Sequence, residues 1–169
     1  YDKLILPGVG NVGQFIKNLE TRKLISPINN FIKQNKPFLG ICLGMQFLFE
    51  KSEEDSLYNG LGVLRGTVKK FPIIYDNDIV PLTGKRKIFL NQELKEEEKK
   101  FGEIHNSKEF YFLHSYYCLS EKKNELFYSN HNGIRFTSGI IKKNLIGVQF
   151  HPEKSSDNGI SFMKNFLNF

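Results

Sequence analysis

The chain has 169 residues and a net charge of +6. This length suits a single domain over residues 1–169, which buries about two thirds of the surface that its unfolded form exposes. Its two cysteines, Cys42 and Cys118, exclude a disulfide-rich scaffold, and no secretory leader or long apolar span is apparent, so we expect a cytoplasmic protein.

The positive charges do not form one continuous stripe along the sequence. They occur as separate clusters: Lys69-Lys70, Lys85-Arg86-Lys87, Lys99-Lys100, Lys122-Lys123 and Lys142-Lys143. Acidic runs at 53–55 and 96–98 lie between them. Mixed charges of this kind are typical of a solvated surface. We therefore expect neither a nucleic-acid partner nor a membrane partner.

The N-terminal part alternates between apolar strands and amphipathic helices. The run 3–6 predicts a buried strand that ends in the glycine-rich loop Pro7–Gly10. Two helices should follow, because apolar residues recur on one helical face: Phe15, Ile16 and Leu19, then Leu24, Ile28, Phe31 and Ile32. Ser26 is the expected cap of the second helix and Pro27 fits its first turn. Pro37 should end that helix.

A second buried strand is predicted over Phe38–Ile41, followed by a helix over Leu43–Lys51 with Met45, Leu48 and Phe49 facing inward. Buried strands that alternate with helices indicate a parallel sheet covered on both faces. In such sheets the ligand lies at the carboxyl ends of the strands. By this prediction, Pro7–Gly10 and Cys42 lie there, together with His151, which ends a later apolar strand.

The second half has more short segments that are predicted to be extended, because they contain many aromatic and β-branched residues. These segments are 63–70, 109–119, 125–129 and 134–141. Residues 76–106 are polar and poorly periodic, so we expect an insertion to which no secondary structure is assigned. A last helix should be capped by Ser156 or Asp157, with Ile160, Met163 and Leu167 facing inward. The predicted fold is α/β, with a mostly parallel sheet flanked by helices and a mixed or antiparallel extension in the second half.

Cys42 is the most informative residue, because an apolar run stops at its thiol and glycines lie two residues before and after it. This pattern is typical of a nucleophile elbow, a sharp strand-to-helix turn beside which only glycine fits. An inert buried cysteine would give the same local pattern. A second apolar strand that ends in His151-Pro152-Glu153 favours the elbow.

These residues suggest nucleophilic catalysis. His151 is placed to accept the thiol proton of Cys42, and Glu153 can hold the histidine ring in one tautomer. The amino end of the helix that follows Cys42 should lower the pKa of the Cys42 thiol. The Leu43 amide and the loop Pro7–Gly10 are candidates for stabilising an oxyanion. Taken singly, His151 could be a satisfied strand-end histidine and Glu153 a helix-start charge.

The segments Gly40–Gln46 and Phe150–Glu153 together resemble the class I (triad) glutamine amidotransferases. Pro7–Gly10, Phe112–Tyr117 and Gly147–Ser155 further resemble the glutaminase subunits of imidazole glycerol phosphate synthase, and this resemblance covers most of the chain. It implies a flavodoxin-like sheet and a glutaminase that needs no cofactor and no metal.

The resemblance also implies the following roles. Cys42 attacks the side-chain amide of L-glutamine, His151 protonates the departing ammonia and Glu153 orients His151. The oxyanion donors match Val9, Gly10 and Leu43, and the residues that hold the substrate match Gln46, Glu54, Ser115 and Tyr116. Ammonia would then pass to a (β/α)8-barrel, HisF-like cyclase partner in histidine biosynthesis.

Two features depart from the family pattern. The family begins with a further strand and helix, roughly 30 residues, so the resemblance implies an N-terminally truncated chain. The family also carries a Pro-His-Met-Gly-Trp-Asn-like segment near the partner interface. Here Val80–Arg86 stands in that region and the chain has no tryptophan, which puts docking to the usual cyclase in doubt.

Three alternatives remain open from the sequence. The chain could supply ammonia to an enzyme that amidates sugars for surface glycans, and the unusual middle segment favours this slightly. It could be a cysteine hydrolase of related fold that acts without a partner on peptides or γ-glutamyl conjugates. It could also be a non-catalytic scaffold that only binds.

Overall fold

The computed structural model describes residues 1–55, 59–73 and 78–169. Within those ranges the strands are β1 (Leu4–Gly8), β2 (Phe38–Cys42), β3 (Phe49–Ser52), β4 (Leu64–Lys70), β5 (Leu82–Lys87), β6 (Phe89–Leu90), β7 (Glu109–His114), β8 (Tyr116–Ser120), β9 (Glu125–His131), β10 (Ile134–Lys142) and β11 (Leu145–Val148). The helices are α1 (Val12–Thr21), α2 (Ile25–Lys33), α3 (Leu43–Gln46), α4 (Glu96–Glu103) and α5 (Ser156–Leu167).

The main sheet has the strand order β1-β2-β11-β10-β8-β4-β3, with β9 also paired to β10 and β6 to β9. Strand β2 is parallel to both β1 and β11, and β3 is parallel to β4. The other pairs are antiparallel, as is the separate two-stranded sheet β5-β7. The predicted α/β class with its antiparallel extension is confirmed, although the sheet is mixed and has fewer parallel pairs than predicted.

Apolar residues cover both faces of the sheet and form two cores. Alternate residues of β2 point to opposite faces, so Phe38 joins one core while Leu39 and Ile41 join the other. The first core contains the apolar faces of α1 and α2. The second is rich in phenylalanine and contains Phe162 and Phe166 of α5. The predicted inward face of α1 is confirmed, since Ile16 and Leu19 are buried.

Helix α3 is shorter than predicted, and the expectation of a helix to Lys51 is wrong. The chain leaves the helix at Phe47 because its backbone carbonyls accept bonds from a later segment. The carbonyl of Phe47 accepts from the Leu61 N–H at 2.7 Å, and that of Leu48 accepts from the Leu64 N–H at 3.0 Å. These bonds draw the chain from residue 49 into β3, parallel to β4. The apolar pattern alone does not distinguish this turn from further helix.

The ends of α2 also differ from the prediction. The residue at its N-cap is Leu24, and Ser26 lies inside the helix. The helix ends at Lys33, followed by Asn35 with a positive φ of 56°. The chain has therefore left the helical conformation before Pro37, which opens the approach to β2.

Helix α5 presents a face to the core that only partly matches the predicted one, since Met163 packs against the core as predicted. Phe162 and Phe166 are fully buried, whereas Ile160 and Leu167 are 56% and 57% exposed. The two phenylalanine rings are one turn apart and bury more apolar area than the aliphatic residues would. Phe162 contacts the rings of Phe110 and Phe150 with centroids 6.1 and 5.4 Å away. Aromatic packing therefore sets the rotation of this helix.

Residues 76–106 contain more structure than their polar sequence suggested. Strands β5 and β6 and helix α4 lie there, while positions 76 and 77 fall outside the described residues. Among the helices described, none is long and apolar enough to cross a membrane.

The predicted elbow depends on close backbone packing. A Cβ atom built on Gly44 would lie 1.9 Å from the Leu6 carbonyl oxygen of β1, and one on Gly40 would lie 2.5 Å from the Gly44 carbonyl oxygen. Cys42 itself has φ 54° and ψ −110°, a sparsely populated conformation for a residue with a side chain. The two glycines allow α3 to pack directly against β1 and β2 and so hold that conformation.

We expect Gly44→Ala to destabilise the protein by about 3 kcal/mol or more, because the new methyl group would meet a backbone atom that cannot move independently. Urea denaturation followed by circular dichroism would measure the change. Gly133→Ala is the control: that glycine has φ 73° and open space around it, so only backbone strain of about 1 kcal/mol is expected. Equal losses in the two variants would contradict this account of the elbow.

Candidate active site

Three neighbouring strand ends bring the predicted residues together. Strands β1, β2 and β11 are adjacent and parallel, with Gly8 paired to Cys42 and Val148 paired to Ile41. The loop after β1, Cys42 at the end of β2 and His151 just after β11 therefore lie at one edge of the sheet. This confirms the sequence prediction that these segments meet at the carboxyl ends of the strands.

A pocket of about 290 Å³ opens at this edge. Its volume is near the lower end for ligand pockets, which suits one small molecule. The predicted site residues all line the pocket except Glu153, which is bonded to His151. Its lining is Val9, Gly10, Cys42, Leu43, Gln46, Glu54, Pro81, Leu113, His114, Ser115, Tyr116 and His151.

His151 is held by its ring and by its backbone. Its Nδ1 lies 2.7 Å from Oε1 of Glu153, and because a carboxylate accepts, the neutral ring carries its proton on Nδ1 and leaves Nε2 as a base. Its backbone N–H donates to the Tyr111 carbonyl at 2.8 Å. The Ser155 hydroxyl donates to the His151 carbonyl at 2.6 Å and accepts from the Tyr111 N–H at 2.9 Å. Ser155 is thus a supporting residue that sequence reasoning did not single out.

The Cys42 thiol is buried, and this burial controls its ionisation. Burial raises the pKa of Cys42 to about 12, and the negative charges of Glu153 and Glu54 act in the same direction. The Leu43 N–H and the Gln149 side chain donate hydrogen bonds that lower the pKa, but they do not offset burial. The start of α3 does lower the pKa of Cys42, as predicted, but burial raises it by more. The prediction of a lowered pKa is therefore wrong. The raised pKa predicts a neutral Cys42 thiol before substrate binds.

The predicted oxyanion donors lie in two segments of the chain. The Leu43 N–H already donates toward the sulfur, so it points into the site from the α3 side. Val9 and Gly10, in the loop that follows β1, line the same pocket. Gly10 has φ 92°, a conformation that glycine adopts without strain. The Val9 side chain is 74% exposed, so this part of the wall borders open solvent.

Glu54 connects the pocket wall to the start of α1. Its Oε1 accepts from the Asn11 side chain at 3.0 Å and from the Val12 N–H at 3.2 Å. Burial raises the pKa of this carboxyl, and the bond from Val12 opposes that effect. Glu54 therefore both lines the pocket and fixes the start of α1 by hydrogen bonds. Its negative charge lies where a cationic group of a ligand can approach.

The side-chain amide of Gln46 is hydrogen-bonded at its nitrogen but not at its oxygen. Its Nε2 donates to the Tyr116 carbonyl at 3.1 Å and to Oε1 of Gln149 at 3.0 Å. Its Oε1 is buried and has no hydrogen-bond partner among the described residues. An unpaired buried acceptor is costly, so a ligand N–H donor in the pocket would relieve that cost.

Ser115, which lies between β7 and β8, and Tyr116, the first residue of β8, also line the pocket. The Ser115 carbonyl accepts from the Phe71 N–H at 2.9 Å. The Tyr116 carbonyl also lies 2.7 Å from Nδ1 of His114. Burial lowers the pKa of His114 to about 3, so that ring is neutral and donates from Nδ1. His114 and Gln149 are the buried polar residues that the sequence did not assign to the site.

In the part of the chain that the structure describes, no group of three or more His, Cys, Asp or Glu side chains could hold a metal ion. The two cysteines are free and buried. The pocket contains a thiol and an imidazole base, and a carboxylate is bonded to the imidazole. This is the set required for attack on an acyl carbon.

A family model described as glutamine amidotransferase class-I matches residues 1–168. The HisH subunit of imidazole glycerol phosphate synthase from Sulfurimonas denitrificans is 39% identical over the whole chain, which spans 80% of that protein. The HisH subunit from Pyrococcus furiosus is 41% identical over 98% of the chain and 80% of its own length.

Solved structures of low sequence identity share the fold. A structure described as PurLQS from Thermotoga maritima superposes with a TM-score of 0.69 at 17% identity, over 99% of this chain and 79% of that one. A glutamine amidotransferase from the same organism gives a TM-score of 0.63 at 20% identity, over 99% and 61% of the two chains.

We expect alkylation of Cys42 by iodoacetamide to be slow near neutral pH and to rise about tenfold per pH unit between about pH 7 and pH 9, because only the thiolate reacts. The rate should be measured in a Cys118→Ser background, which leaves one thiol in the chain. A plateau below about pH 8 would show that the thiolate forms readily and would contradict the raised pKa.

Proposed function

The chain belongs to the glutamine amidotransferase class-I family, and we propose that it is the glutaminase subunit of an imidazole glycerol phosphate synthase. In this proposal it hydrolyses L-glutamine to glutamate and ammonia. The observation that carries the proposal is the elbow thiol of Cys42 in one pocket with His151, whose Nδ1 is 2.7 Å from Glu153. The HisH subunits at about 40% identity support the choice of acceptor pathway.

The first half-reaction forms a thioester. Sγ of Cys42 attacks the side-chain amide carbon of glutamine as its proton moves to Nε2 of His151. The amide oxygen becomes an oxyanion, for which the Leu43 N–H and the Val9–Gly10 backbone are the proposed donors. His151 then returns its proton to the amide nitrogen, the C–N bond breaks and ammonia leaves. Glu153 stabilises the imidazolium that exists between these two transfers.

The second half-reaction hydrolyses the thioester. His151 takes a proton from water, the resulting hydroxide attacks the acyl carbon, and the C–S bond breaks to release glutamate. The sulfur leaves as a thiolate and receives the proton held by His151. Because burial raises the pKa of the thiol to about 12, the resting protein returns to its neutral form.

The remaining pocket residues are proposed to hold the amino-acid end of glutamine. Glu54 offers a negative charge and Gln46 offers an unpaired Oε1, and both suit the α-ammonium group. The backbone at Ser115 and Tyr116 is proposed to hold the α-carboxylate of the same substrate, because these residues also line the pocket. A substrate without the α-ammonium group should therefore bind more weakly.

We further propose that the chain works as a heterodimer with a HisF-like (β/α)8-barrel cyclase in the cytoplasm. Apolar side chains at the pocket are exposed, with Val9 at 74% and Leu113 at 40%. Exposed apolar residues around a reactive pocket favour coverage by a partner. Free thiols also suit a reducing compartment. Pro81, within the segment that departs from the family pattern, lines the same pocket.

We expect Cys42→Ala to abolish glutamate release, and Glu153→Gln to lower kcat by at least about tenfold because an amide no longer stabilises the imidazolium. A coupled glutamate dehydrogenase assay on the complex would measure both rates. Glu103→Gln, an exposed position on α4, is the matched control and should keep full activity. Full turnover in Cys42→Ala would refute the proposal.

Addition of the cyclase subunit should raise glutaminase turnover by at least about tenfold, because the Val9–Gly10 wall faces solvent in the free chain and its glycine allows the peptide to turn. The assay compares the chain alone, with a histidine-pathway cyclase, and with a sugar amidotransferase. If only the sugar amidotransferase raised glutaminase turnover, the ammonia acceptor would belong to that enzyme and not to the histidine-pathway cyclase. Turnover that no partner changes would contradict the heterodimer.

A further inference from the structure

Gln149 is completely buried and lies beside the nucleophile, although it does not line the pocket. Its Nε2 is 3.6 Å from Sγ of Cys42, a distance typical of a hydrogen bond to sulfur. Its Oε1 accepts from Nε2 of Gln46 at 3.0 Å and lies 3.7 Å from Sγ of Cys118. A side chain in this position either donates to the reacting sulfur or accepts from its S–H, depending on which way the amide faces.

The surrounding contacts determine which way the amide faces. The Tyr116 backbone carbonyl can only accept, so the Gln46 side chain must present its NH₂ group to it. The second N–H of the same NH₂ group is directed at Gln149, which must therefore present its oxygen. The NH₂ group of Gln149 is then left facing Cys42. One backbone carbonyl thus fixes the orientation of two side-chain amides in series.

The second lone pair of the Tyr116 carbonyl oxygen also accepts a hydrogen bond. Nδ1 of His114 lies 2.7 Å from the Tyr116 oxygen, and the neutral ring donates there. Cys118 is buried and its S–H points at Oε1 of Gln149, which adds a donor on the side where Gln46 already donates. A reversed Gln149 amide would place NH₂ against NH₂ at Gln46 and lose both contacts, so the observed orientation is strongly favoured.

We propose that Gln149 is a catalytic residue that stabilises the developing thiolate of Cys42 by donating an N–H to its sulfur, in an orientation fixed by Gln46 and the Tyr116 carbonyl. The bond strengthens as negative charge forms on sulfur, because hydrogen bonds to charged groups are stronger than those to neutral ones. It therefore favours attack on the substrate rather than substrate binding. The role in turnover rests on the proposed glutaminase function, whereas the effect on the thiolate does not.

The test uses Gln149→Met, which keeps the length and volume of the side chain but has no N–H donor. In a Cys118→Ser background, which retains a donor toward position 149, the difference in ultraviolet absorbance at about pH 10.5 between each protein and its Cys42→Ala counterpart reports the fraction of Cys42 thiolate, because the seven tyrosines contribute equally to both. We expect about a tenfold smaller thiolate fraction in Gln149→Met, as for the loss of one hydrogen bond to a charged group. This absorbance does not depend on reagent access. Gln92→Met, at an exposed glutamine whose amide contacts a backbone carbonyl, is the matched control and should show no change.

The same variant separates catalysis from binding in the assembled complex. We expect kcat for glutamate release to fall about tenfold with KM unchanged, because Gln149 does not line the pocket. An unaltered thiolate fraction and an unaltered kcat in folded Gln149→Met would overturn the proposal. If the wild-type complex has no glutaminase activity, the proposed function fails, but the absorbance result still decides the role of Gln149 toward the thiolate.

If Gln149→Met shows no cooperative unfolding transition, it has not folded and its kinetics are not informative. A measurement on the unmutated Gln149 side chain then provides the test. With ¹⁵N-labelled glutamine side chains, the Gln149 amide proton should shift as Cys42 ionises at high pH. The same resonance should stay constant in Cys42→Ala. A Gln149 amide that does not respond to the ionisation of Cys42 would also overturn the proposal.

Discussion

The close approach of the α3 backbone to β1 and β2 is the contact on which the site depends. It requires hydrogen atoms at Gly40 and Gly44, because a methyl group at either position would overlap a backbone atom. The tight turn holds Cys42 at φ 54°, and the cost of that conformation is met by the packing of the strands around it. Since β2 lies between β1 and β11, the same turn places the sulfur between the glycine loop and His151.

Burial of the nucleophile both organises the site and keeps it unreactive. The low-dielectric surroundings raise the pKa of Cys42 to about 12, so a free thiolate is costly. The same surroundings strengthen every dipole directed at the sulfur or at an oxyanion beside it. The donors gain most when charge appears during the reaction, which is the condition for lowering a barrier rather than for binding the ground state.

Much of this arrangement follows from local sequence patterns, and the exceptions have physical causes. The strand ends at Gly8, Cys42 and His151 were predictable, because apolar runs, glycine spacing and the rule for parallel sheets concern neighbouring residues. The end of α3 was not, since it depends on carbonyl bonds to residues 61–64. The rotation of α5 was not either, because the aromatic rings that select its face come from distant strands. The net ionisation of Cys42 depends on burial, which no spacing of residues reports.

The buried amides show why site residues escape detection from sequence. Gln149 lies directly after β11, two residues before His151, as one polar residue in an otherwise apolar run. Its function depends on which end of its amide faces the sulfur. That orientation is set by the carbonyl of Tyr116 through Gln46, so it depends on three separate segments of the chain. A polar group costs free energy in a core unless its bonds are made. Once they are made, the direction of each donor is fixed, and the nucleophile gains a dipole that needs no reorganisation during the reaction.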